Sequence, residues 1–255
     1  YNEIGQSAPG LASPVLGGRP RNGGGLFVNS EGIIALSNGS FYRKSTSIFP
    51  KWTLIGNAPD VRALGYDPSC DCSIGLQAGP GTTPSLVSLS PTGTVQVLGQ
   101  LSGFPKFKRQ YQAASYDYAN QTFYFADRSH LYSVKPGTLS VEKVDLPNGF
   151  TIGDDILVRS GELWTISQHR LSQLVLGSST PPESHLIRGV AWNQQRLGGL
   201  TKSSSGEFLV MQCPSRLLLT FKSLNDSSLS LEATDVAAID NFGSGDFSGT
   251  SCDLA

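Results

Sequence analysis

Charge is scarce in this chain. Only 15% of its 255 residues are Asp, Glu, Lys or Arg, with a formal net charge of −1, where globular chains carry about 25% charged residues. So neutral a surface has no general attraction for nucleic acid or anionic lipid, and neither is expected as a partner. Long apolar runs are missing as well. None approaches the roughly 18 residues that a membrane-spanning helix needs, so no membrane span is expected. Methionine is reduced to Met211, and the chain opens on Tyr1, which reads as a processed chain whose signal peptide has been removed. Helical periodicity is lacking throughout. Turn chemistry, by contrast, is abundant: 29 Gly and 15 Pro make up about one residue in six, and 38% hydrophobic residues argue against disorder. The expectation is one soluble domain spanning 1–255, long enough to bury its own core.

Cysteine is limited to an even set of four, Cys70, Cys72, Cys213 and Cys252, with three possible connectivities. Three glycosylation sequons are present: Asn38-Gly39-Ser40, Asn120-Gln121-Thr122 and Asn225-Asp226-Ser227. Each falls in an expected turn, where a glycan is tolerated. A secreted, extracellular glycoprotein with oxidised cysteines is the consistent reading.

A repeat runs through the chain. Ser160-Gly161-Glu162-Leu163-Trp164-Thr165-Ile166 recurs as Ser205-Gly206-Glu207-Phe208-Leu209-Val210-Met211, and more loosely as Ser30-Glu31-Gly32-Ile33-Ile34-Ala35-Leu36. Two copies use an Asp turn instead: Ala63-Leu64-Gly65-Tyr66-Asp67 leads into Cys72-Ser73-Ile74-Gly75-Leu76, and Ala113-Ala114-Ser115-Tyr116-Asp117 leads into Thr122-Phe123-Tyr124-Phe125-Ala126-Asp127. A last fragment is Ser244-Gly245-Asp246-Phe247. The markers at 30, 67, 117, 160, 205 and 244 lie about 37 to 50 residues apart, and the distance from 244 through the termini back to 30 is about 41 residues. Downstream of the markers, pairs such as Leu86–Leu89 with Thr94–Leu98 are strands joined by a Pro/Gly turn. Four short strands in a repeat of about 43 residues describe a propeller blade.

The chain is therefore expected to be all-β, a six-bladed β-propeller. Its last blade would combine residues 234–255 with 1–21, so that the N- and C-terminal segments pair and remove a free edge. Five blades with loose tails are the alternative. The innermost strands should be about 24–28, 61–67, 111–117, 153–158, 196–202 and 234–240. The segment Phe123-Tyr124-Phe125-Ala126-Asp127-Arg128-Ser129-His130-Leu131-Tyr132 resembles the hYhhD…hLY signature of six-bladed propellers of the YWTD and NHL kind. The resemblance implies a propeller fold and assigns no functional residue.

Candidate chemistry lies where innermost strands begin. Asp60, Arg62, Gln112, Asp154, Asp155, Arg196 and Asp235 are the polar residues there. Asp60, Asp154, Asp155 and Asp235 could hold Ca²⁺ if they share one rim. The competing reading pairs these carboxylates with Arg62 and Arg196 or leaves them as turn caps, with no cofactor. His130, His169 and His185 occupy unrelated positions with no metal-ligand spacing, and no Ser sits in a nucleophile elbow. Gly23-Gly24-Gly25 precedes an expected strand and no helix, which removes a phosphate loop and leaves a blade crossing. Phe104-Pro105-Lys106-Phe107-Lys108-Arg109-Gln110-Tyr111 interleaves basic and aromatic residues. Lys106, Phe107, Lys108 and Arg109 are thus a candidate binding patch on a connector. Cys213 and Cys252 each stand eight residues after their marker, so a bridge between them would tie the last two blades. Cys70 and Cys72 then remain, as a bridge across a turn or as partners for the other pair. Zinc at Cys70-Asp71-Cys72 would need ligands that the sequence does not supply.

Two functions fit this pattern. One is an extracellular binding or assembly module presenting propeller loops to a protein or glycan partner, with self-assembly left open. The three Trp, at 52, 164 and 192, do not repeat in register, which argues against a multivalent lectin. The other is a Ca²⁺-dependent, lactonase-like hydrolase at the channel mouth, which Asp154→Ala and Asp155→Ala would inactivate.

Overall fold

The computed structural model describes residues 25–29, 32–37, 40–44, 52–78, 82–104, 113–127, 129–153, 155–167, 170–188, 196–202, 208–213, 217–221 and 231–238. Every regular element among them is a β-strand. Twenty strands form five four-stranded antiparallel units, each a meander in chain order. The first unit holds β1 (Gly25–Asn29), β2 (Gly32–Ser37), β3 (Ser40–Lys44) and β4 (Trp52–Asn57). The second holds β5 (Val61–Asp67), β6 (Cys72–Gln77), β7 (Ser85–Leu89) and β8 (Val95–Gln100). The third is β9 (Ala113–Asp117), β10 (Thr122–Ala126), β11 (Leu131–Val134) and β12 (Val141–Val144). The fourth is β13 (Asp155–Arg159), β14 (Glu162–Ser167), β15 (Arg170–Val175) and β16 (Glu183–Arg188). The fifth is β17 (Arg196–Lys202), β18 (Phe208–Cys213), β19 (Leu217–Phe221) and β20 (Leu231–Ala238).

The first strands of these units touch in cyclic order, β1 on β5, β5 on β9, β9 on β13, β13 on β17 and β17 on β1. The units are therefore blades around an axis, with the first strand of each innermost. The expected innermost strands agree within two residues for five blades. The sixth does not: residues 234–238 belong to β20, which pairs antiparallel with β19 through Leu217↔Ala238 and Thr220↔Asp235. Pairing with the neighbour in sequence closes the shorter loop, and it puts this segment outermost in the fifth blade. β20 also meets the outermost strand of the fourth blade, in a short parallel ladder of Ile187↔Leu231 and Arg188↔Glu232. Residues 1–21 and 239–255, assigned to closure of a sixth blade, lie outside the described residues.

The core is a set of seams between blades. Ala63, Ile74, Leu76 and Leu86 of the second blade pack on Tyr116, Phe123, Phe125 and Val134 of the third. Phe104 and Tyr132 both stack with Phe125 in this group, at ring-centroid distances of 5.4 and 5.3 Å. Ala113, Ala126 and Leu131 meet Ile156, Val158 and Leu163 at the next seam, and Ile166, Leu171 and Ile187 meet Leu200, Phe208 and Val210 beyond it. Because the third blade is covered on both faces, β9 is buried at all five positions and β10 at all but Tyr124. That two-sided burial explains why these segments read as unbroken apolar runs. A fully buried Phe such as Phe123 or Phe125 contributes about 1.5–3 kcal/mol. At the seam between β5 and β9 the backbones come so close that a Cβ on Gly65 would stand 2.3 Å from Tyr116 N, so only glycine fits.

Candidate functional site

Among the described residues, the repeat markers at Asp67, Asp117 and Ser160 are turns at the ends of innermost strands. Asp67 and Asp117 each end such a strand and face Cys72 and Thr122 across the ladder. The last turn residue, Asp71 or Gln121, takes a left-handed conformation, with φ of 50° and 48°. In the fourth blade the turn shrinks to Ser160 and Gly161, both with positive φ (53° and 80°). This is the geometry that right-twisted hairpins favour, and glycine meets it without strain at the second position.

Buried polar groups clamp these turns across the seams. Asp117, fully buried, accepts hydrogen bonds from Ser160 N (2.9 Å) and Gly161 N (3.0 Å) of the next blade and from Asn120 Nδ2 (2.7 Å) in its own turn. Ser115 Oγ accepts from Val158 N (2.8 Å) and donates to Val158 O (3.4 Å), standing in for a backbone ladder between β9 and β13. Asp67 accepts from Ser69 N (2.9 Å) and Ser69 Oγ (2.7 Å). Burial pushes the Tyr116 hydroxyl up to about 12, reinforced by the charge of Asp67, a hydrogen bond to it, and the charge of Asp117. Tyr124 is raised by burial and then by Asp117. The ends of β5, β9 and β13 therefore meet at one end of the ring.

On that end Tyr118, 41% exposed, lies under the guanidinium of Arg159, whose Cζ is 5.6 Å from the ring centroid. Each residue directly adjoins a turn that Asp117 holds, so the pair straddles a fixed seam. Sequence reasoning passed over both, although each is adjacent to a repeat marker: Tyr118 comes directly after Asp117, and Arg159 directly before Ser160-Gly161.

The sequence-derived metal candidates take different places in the blades. Asp60 is in the turn before β5 with φ of 62°, and its carbonyl accepts from Ala78 N (3.0 Å). Asp155 opens β13, but Oδ1 accepts from Ile156 N (2.8 Å) and Oδ2 from Leu200 N (2.6 Å), so its carboxylate ties the fourth blade to the fifth. Asp235 is on β20, the outermost strand, away from the rim it was expected to share. Asp154 lies outside the described residues. Among the described residues no three His, Cys, Asp or Glu side chains gather as a metal site.

The remaining candidates are spread over several blades. Asp127, the acidic residue of the propeller-like signature, caps the β10–β11 turn by accepting from Ser129 N (2.8 Å) and His130 N (2.7 Å), with His130 Nδ1 at 3.1 Å. His185 is nine-tenths buried on β16, with Nε2 3.8 Å from Glu183; His169 lies outside the described residues. Trp164 packs on Phe208 in the seam between fourth and fifth blades, centroids 5.0 Å apart. Lys106, Phe107, Lys108 and Arg109 lie outside the described residues, as do Asn38 and Asn225, whereas Asn120 is exposed on its turn. Cys70 and Cys72 are joined in a disulfide with Cα atoms 5.1 Å apart, the across-the-turn pairing among the alternatives. Cys213 ends β18 opposite Arg196, and Cys252 lies outside the described residues.

No protein-family model and no curated protein matches the chain. Solved structures do. A chain of the nidogen/laminin complex aligns over 85% of this chain and 94% of its own, at 10% identity and a TM-score of 0.49. The putative TolB from Agrobacterium tumefaciens aligns over 83% and 80%, at 12% identity and a TM-score of 0.54. At such identity the likeness to the latter concerns fold alone, and together with the radial four-stranded sheets it makes this protein a β-propeller.

Proposed function

We propose that the protein is a binding module: a rigid propeller that presents the turns at one end of its ring to a protein or glycan partner outside the cell. The observation that carries the reading is the Tyr118–Arg159 pair. An exposed aromatic ring stacked with a guanidinium combines two of the side chains most enriched at interface hot spots. Asp117 holds the turns on both sides of the pair, so little conformational freedom is lost on binding. The oxidised Cys70–Cys72 pair and the exposed Asn120 within its sequon support an extracellular, glycosylated setting.

The test is a screen of the folded chain against glycan arrays and immobilised extracellular proteins, with each hit then titrated against variants. Tyr118→Ala and Arg159→Ala should each weaken a specific partner at least tenfold, about 1.4 kcal/mol, without moving the thermal midpoint. Binding that is indifferent to both substitutions would assign recognition to another face.

A further inference from the structure

The turn between β5 and β6 contains a disulfide alongside several hydrogen bonds among the same residues. Only Asp71 separates Cys70 from Cys72, and closing so short a loop removes little freedom from the unfolded chain. Other bonds hold the turn. Asp67 Oδ1 accepts from Ser69 N and Oγ, the Tyr66 hydroxyl donates to Asp71 Oδ1, and the ladder keeps Asp67 opposite Cys72. None of these requires the sulfur–sulfur bond.

The two sulfurs also differ in setting. Cys70 is exposed at the turn, whereas Cys72 is partly buried and packs against the apolar cluster between the second and third blades. That difference sets which sulfur is attacked: the exposed one is open to an incoming thiolate, and the partly buried one stays within reach to re-form the bond. We infer that Cys70–Cys72 is a reversible thiol–disulfide exchange site whose substrate is a dithiol, exposed at the same end of the ring as Tyr118.

The exchange balances without further reagents. A thiolate of the dithiol attacks Cys70 Sγ, the bond to Cys72 Sγ breaks, and Cys72 leaves with the electron pair and takes a proton from solvent. The second thiolate of the dithiol then attacks its partner sulfur in the mixed disulfide, closing the substrate's own disulfide and releasing Cys70, which is protonated in turn. The dithiol is oxidised by two electrons and the protein reduced by two; a substrate disulfide runs the sequence backwards.

The test equilibrates the full chain in mixtures of reduced and oxidised dithiothreitol, quenches in acid, labels free thiols with maleimide and reads the 70–72 peptide by mass spectrometry. Near-ultraviolet circular dichroism is recorded in parallel. The expected result is a reversible titration of both thiols with an unchanged dichroism spectrum and a thermal midpoint displaced by less than about 5 °C. In Cys72→Ser, Cys70 should trap oxidised glutathione at least tenfold faster than Cys72 does in Cys70→Ser. Reduction only with loss of the native spectrum, equal trapping in the two variants, or a peptide map joining either residue to Cys213 or Cys252 would overturn the inference. The wild-type titration decides the matter even if a single-cysteine variant fails to fold.

Discussion

Asp117 is a small acidic residue in an apolar ring, and its burial is tolerable because three donors converge on it. Two of them are backbone amides in a turn whose first residue, Ser160, sits at φ 53°, a conformation disfavoured for residues with a Cβ. The carboxylate thus holds a strained neighbour in place from the adjacent blade. Asp117→Ala leaves Ser160 N and Gly161 N without that acceptor and should cost about 2–4 kcal/mol. For a domain of this size that lowers the thermal midpoint by roughly 5–15 °C in scanning calorimetry. Asn120→Ala removes only the exposed donor and should move the midpoint far less. Asp117 was legible in the sequence as a repeat marker. Its role was not, because the amides it serves are more than forty residues away.

Among the elements, β5 shows most directly how blade spacing is set. Its ladder with β6 is interrupted between Arg62 and Leu64, where Ala63 takes φ of 51°; a bulge of this kind bends a strand and re-aims the residues beyond it. Two positions beyond Ala63 stands Gly65, against which the backbone of β9 closes. Gly65→Ala should force the second and third blades apart at a cost of about 1–3 kcal/mol, read as a lower denaturation midpoint. An unchanged midpoint would mean that the seam has slack. The strands themselves could be located from their apolar runs and turn residues, as the agreement at 61–67 and 196–202 illustrates. The rank of a strand from the axis could not, and β20 is the instance: a segment that reads as an innermost strand is the outermost one, because its rank depends on which ladder it joins.

Among the described residues, the innermost strands close a cycle by contact, while the last described strand, β20, pairs with β16 and β19. Of the carboxylates that the sequence lines up at the starts of innermost strands, Asp155 is bound to amides of two blades and Asp235 is carried to the outermost strand of the fifth. Replacing EDTA by millimolar Ca²⁺ should therefore leave the thermal midpoint within about 1 °C, where saturation of a site at 100 times its dissociation constant would raise it by roughly 5–10 °C. A shift of that size would return the four carboxylates to consideration as a metal site. The sequence by itself determined the all-β class, the repeat, and the turns on which the blades are built, because each depends on local alternation and on Gly, Asp and Ser at fixed places. Tertiary structure alone decided how the described strands divide among blades, which carboxylates serve as seam clamps, and that Tyr118 meets Arg159. Those outcomes rest on contacts between residues some forty positions apart, and no local pattern encodes the direction in which a blade turns toward its neighbour.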